Sequence, residues 1–129
     1  MNFKICAIFL AMTFGVDLAW SQKSTPFSGV WADSAGVQFK NQTAVFSVTS
    51  DQVMMTHYLE FNGQPFIEQG LGDRRGDTLD YVVQVTQTIP GWATEGKHKL
   101  VLDRDGKTLR GIYEDNKGNK GSLIFKKVK

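Results

Sequence analysis

Three short strand-like runs near the end of the chain constrain the fold more than any other feature. The stretch from His98 to Val128 reads HKLVLDRDGKTLRGIYEDNKGNKGSLIFKKV. Its β-branched, aromatic and leucine runs are separated by Arg104-Asp105-Gly106-Lys107 and by Asn116-Lys117-Gly118-Asn119-Lys120-Gly121. Asp-Gly and Gly-rich turns between alternating runs signal hairpins, because Gly and Asn tolerate the positive φ that tight turns need. The stretch therefore reads as a three-stranded antiparallel meander.

The same rhythm runs backwards through the chain. Val37 and Phe39 alternate with Gln38 and Lys40, and Ala44, Phe46 and Val48 alternate with Val45, Ser47 and Thr49. From Gln52 to Phe61, period two places Val53, Met55, His57, Leu59 and Phe61 on one face, towards the core. A helix over residues 52–60 is the competing reading, but Asn62-Gly63 and Pro65 bound the segment tightly. Pro65 to Gln69 reads as a short strand, and the Gly-rich stretch from Gly70 to Asp77 as an exposed loop. The run from Leu79 to Ile89 reads as the longest strand, with Tyr81, Val83 and Val85 on one face, and Pro90-Gly91 ends it. His98, between Lys97 and Lys99, is expected on the surface. Eight or nine strands with hairpin-short connections specify an all-β, antiparallel, up-and-down meander. An eight-stranded barrel is the expected closure, because it removes both sheet edges, and a β-sandwich is the alternative.

The N-terminus has a different character. Lys4 precedes an apolar run from Ile5 to Val16, and Ala19-Trp20-Ser21 offers a small-x-small exit. That pattern describes a secretory signal peptide over residues 1–21, cut between Ser21 and Gln22, with a buried N-terminal element as the alternative. The run is too short to span a membrane. The expected mature unit is one domain over residues 22–129, secreted or periplasmic. The one cysteine, Cys6, falls in the leader, so that unit has no disulfide and no thiol chemistry. Net charge is +2, and it stays +2 because Lys4 and Asp17 leave together. That is too weak to imply nucleic acid or an anionic membrane as a partner.

Gly29-Val30-Trp31 at the start of the first strand resembles the Gly-x-Trp opening of calycin-type barrels, the lipocalin and avidin-like families. The resemblance implies an exported, eight-stranded barrel with Trp31 plugging its closed end, a structural role. It carries over no ligand and no functional residue.

Motifs for chemistry are sparse. The two histidines form no metal motif, and Asp103-Arg104-Asp105-Gly106 lacks EF-hand spacing. Gly70 to Gly76 lacks the helix and the Lys-Ser/Thr pair of a phosphate loop, and no serine lies in a Gly-x-Ser-x-Gly setting. No cofactor is implied. The reading that follows is a non-catalytic binder of a small apolar or aromatic ligand held inside the barrel. His57, Tyr81 and Tyr113 are its expected polar handles, and Trp92 with Arg74 and Arg75 its expected mouth. A second reading is a protein-interaction module, an inhibitor or envelope component, working through the 70–77 and Trp92 loops. An enzyme ranks third, because it requires His57 beside a carboxylate in an open cleft.

Overall fold

The computed structural model describes residues 25–34 and 42–129. The expected leader and the expected strand around Val37 and Phe39 lie outside the described residues. Eight strands follow in chain order: β1 (Gly29–Asp33), β2 (Thr43–Val48), β3 (Gln52–Phe61), β4 (Gln64–Arg75), β5 (Thr78–Val85), β6 (Glu95–Leu102), β7 (Thr108–Asp115) and β8 (Lys120–Lys127). Each pairs antiparallel with the next, and β1 pairs with β8 through Trp31 opposite Lys127 and Asp33 opposite Phe125, closing the barrel. No helix among the described residues is long and apolar enough to cross a membrane.

Local chemistry explains the turns. Asn62 and Gly63 join β3 to β4 with φ of 50° and 75°. A two-residue hairpin of the type that matches strand twist needs both values positive, and Asn-Gly supplies them at low steric cost. The strict inside–outside alternation of β2 and β3 follows the apolar pattern of their sequences, and His57 faces inward as period two required.

Two expectations about boundaries change. Gly70 to Arg75 is not loop but the second half of β4, leaving only Gly76 and Asp77 at the turn. The glycines are there because Tyr81 on β5 crosses them. A Cβ on Gly70 would meet the Tyr81 ring at 2.7 Å, and one on Gly72 would strike the Asp80 carbonyl. A glycine inside a strand often marks such a close approach rather than a loop. The β5 strand stops at Val85 instead of Ile89, and Ile89 folds back, buried, against Leu59 and Phe66.

The barrel has two unlike halves. The half holding the start of β1 and the chain end is filled by Phe27, Trp31, Phe46, Leu79, Leu100, Leu109 and Phe125, each at most 2% exposed. Full burial of such side chains contributes about 1.5–3 kcal/mol each. Trp31 donates its indole N–H to the Phe27 carbonyl at 2.8 Å, which satisfies its polar atom inside the packed half. A smaller cluster of Leu59, Phe66 and Ile89, with Phe61, Val85 and Trp92 against it, lies towards the other end.

Candidate functional site

Between these clusters the barrel interior turns polar. Cross-strand register makes the arrangement. His57 on β3 stands directly opposite Glu68 on β4, and Tyr81 on β5 directly opposite His98 on β6. All four face inward, at 1%, 5%, 1% and 6% exposure. Asp33, two residues after Trp31 and on the same face of β1, joins them from across the seam, with its side chain 5% exposed.

The groups form a line across the barrel. Tyr81 hydroxyl and His98 Nδ1 lie 3.0 Å apart. His98 Nε2 is 3.9 Å from Glu68 Oε1, and the same oxygen accepts from His57 Nδ1 at 2.9 Å. His57 Nε2 lies 3.4 Å from Asp33 Oδ2, an ion-pair contact without hydrogen-bond geometry. Phe125 packs edge-on beneath the His57 ring, with centroids 5.4 Å apart, so apolar matter seals the line from below.

Electrostatics separates the two histidines. Burial alone would lower the His57 pKa, but hydrogen bonding and charge from Asp33 and Glu68 outweigh it and the net shift is upward. The two carboxylates thus favour the protonated form of the ring. His98 has no close carboxylate bond, and burial takes its pKa down to about 4, so it stays neutral. Burial also pushes the Tyr81 phenol well above its ordinary value, so that hydroxyl keeps its proton. These states set the tautomer. A lone pair on His98 Nε2 would face the Glu68 carboxylate, so Nε2 carries the hydrogen and Nδ1 accepts from Tyr81.

Above this line lies a cavity of about 680 Å³. Asp33, Gln42, His57, Glu68 and His98 contribute to its floor, and Leu59, Phe61, Val83, Val85, Trp92 and Tyr113 to its walls. Trp92 lies 4.9 Å from the Phe61 ring centroid and 5.2 Å from that of Phe66, an aromatic panel at the mouth. Gln42 is 6% exposed, and its Nε2 has no hydrogen-bond partner among the described residues. A buried amide left in that state costs roughly 1–3 kcal/mol unless something in the cavity meets it.

The expected site residues divide between the two ends. His57, Tyr113 and Trp92 line the cavity, and Tyr81 is buried behind it as the partner of His98. Arg74 and Arg75 are not at the mouth. Strands alternate direction, so the β4–β5 turn falls at the packed end. There the Arg74 guanidinium sits 4.6 Å from the Phe27 ring centroid and donates to the Thr49 and Gly76 carbonyls, while Arg75 is exposed. His98 is buried, not on the surface. The signal was present: Lys97 and Lys99 must both point outward, and period two then turns His98 inward. Glu68 could have been found likewise, because it shares the face of Phe66. Asp33 shares the face of Trp31. Their convergence depends on barrel closure, which no local pattern states.

Among the described residues, no group of three or more histidine or acidic side chains has the geometry to hold a metal ion. No protein-family model matches the chain, and no curated protein matches it significantly in sequence.

Proposed function

We propose that the protein is an exported, non-catalytic binding protein that holds a small ligand with an aromatic or apolar body in the open half of its barrel. One observation carries this reading: a cavity of about 680 Å³ with aromatic and aliphatic walls above a few converging polar groups. That size and lining are typical of small-molecule sites, and the mouths of small barrels are a recurrent place for them. Phe61 and Trp92 supply the faces against which a planar group would stack. Tyr113 and Gln42 supply polar contacts, and the line from Tyr81 to Asp33 supplies a fixed polar floor.

The pairing of His57 with Glu68 meets one condition of the catalytic reading. The chemistry of the pair argues against a base. Both ring nitrogens of His57 face carboxylates, so neither is turned toward a substrate proton.

The test is native mass spectrometry of the protein purified from its own cells, followed by unfolding and small-molecule extraction. A bound mass released on unfolding is expected, and Trp92→Ala should lower its occupancy several-fold. A clean mass of the bare chain under gentle conditions, with no small molecule in the extract, would overturn the reading.

A further inference from the structure

The polar end of the ligand can be read from the floor of the cavity. Resting on the reading of a small-molecule site, we infer that the barrel takes a protonated amine: an aromatic or apolar body carrying an ammonium group that docks on Glu68.

The floor of the cavity presents carboxylates, Glu68 foremost. Glu68 and Asp33 both lie against the His57 ring, at 2.9 and 3.4 Å. The second histidine adds no charge, because His98 is neutral near pH 7. Glu68 Oε1 accepts from His57, while Oε2 accepts no hydrogen bond from a described residue, and Glu68 lines the cavity. A carboxylate buried this deeply is costly unless it is fully paired and hydrogen-bonded. An ammonium on Oε2 would supply both charge and donors.

The mouth repeats the sign. Glu95, Glu114 and Asp115 line it, and Lys120 is the one lysine among the described lining residues. Glu114 is paired with Lys120 at 3.4 Å, and Asp115 is taken up by the turn after β7, where it accepts from Lys117 and Asn119. Glu95 remains, exposed at the start of β6. The chain as a whole carries +2, so an acid-lined cavity inverts its overall charge. Such a cleft concentrates cations and repels anions.

Gln42 is the independent sign that a polar guest belongs there. It is buried and lines the cavity, and its Nε2 is without a partner among the described residues. As placed it offers a donor, and a half-turn of the amide would offer the carbonyl oxygen to an ammonium in the cavity instead. The aromatic panel of Phe61 and Trp92 then covers the apolar body, and its π faces also favour a cation.

The experiment titrates the protein at pH 7.5 with one ring in three charge forms, reading tryptophan fluorescence and calorimetry. The probes are tryptamine, the neutral alcohol tryptophol and indole-3-acetate, with phenethylamine, phenylethanol and phenylacetate as a second ring. Each amine should bind at least tenfold tighter than its alcohol, and each acid weakest. Glu68→Gln should erase most of that preference. Glu95→Gln, on an exposed strand end, should reduce it about twofold without endangering the fold. An alcohol or acid binding as tightly as its amine would overturn the inference and leave the ligand site standing. Binding of none of the six, together with a bare chain in native mass spectrometry, would overturn both.

Discussion

Tyr81→Phe tests whether the buried polar line is a set of made hydrogen bonds. The change deletes one hydroxyl and nothing else. The ring stays edge-on to Phe46, with centroids 6.0 Å apart, so packing is conserved. What is lost is the 3.0 Å bond to His98 Nδ1. Both residues are almost fully buried, at 1% and 6% exposure. An acceptor stranded in this way costs about 1–3 kcal/mol, against about 1 kcal/mol for an ordinary solvent-compensated bond. For a domain of this size, each 1 kcal/mol moves Tm by about 4–8 °C. Urea unfolding should therefore show a loss of about 2 kcal/mol with an unchanged m-value. A second variant sharpens the test. Tyr81→Phe combined with His98→Leu removes both partners, and the pair should cost at least about 1 kcal/mol less than the sum of the singles. A loss below about 0.5 kcal/mol for Tyr81→Phe, or strict additivity in the cycle, would refute the reasoning.

Stability should peak near pH 6.5. His57 has a folded pKa above its unfolded value, so its contribution is complete below pH 6.5 and fades as pH rises through the folded value. His98 runs the other way: its folded pKa is about 4, so roughly 3 kcal/mol is lost between pH 6.5 and 4 as the unfolded chain takes up the proton first. Denaturant midpoints measured from pH 4 to 9 check both limbs, and His98→Asn should flatten the acid one. Arg74→Ala should lower stability by about 1 kcal/mol, through the lost Phe27 contact and carbonyl bonds, yet leave ligand affinity unchanged in the same fluorescence titration.

The barrel was legible because its strands announce themselves locally. Alternation in β2 and β3, Asn62-Gly63, and the turns around Gly106 and Gly118 each need only a few neighbouring residues to act. The Gly70 to Arg75 segment was not legible for the opposite reason. Its glycines answer to Tyr81, across the β4–β5 pairing, and a glycine that makes room for a neighbour looks the same in sequence as one that loosens a loop. The site was half legible. His57 could be placed on an inner face by period two alone. Its partners come from β1 and β4, and His98 with Tyr81 from β6 and β5, so the line exists only after closure. Arg74 and Arg75 show the converse error: their charge suggested a mouth, but direction along the barrel decides which end a turn occupies.

The division of labour between the two halves explains how such a line can be carried at all. Buried polar groups rarely add net stability, and an apolar substitute of the same shape often does better. Here the packed half, from Phe27 to Phe125, supplies apolar burial without interruption, and the strand ladders close on themselves with no edge to protect. The other half is therefore free of the need to fill. An apolar middle layer would let the side chains around Leu59, Phe66 and Ile89 meet the lower core and close the space between them. The charged and hydrogen-bonded layer of Asp33, His57, Glu68, His98 and Tyr81 holds those clusters apart, because apolar side chains collapsing onto it would bury Glu68 Oε2 without giving that oxygen a donor. The polar line is thus both the floor of the cavity and the reason the cavity persists.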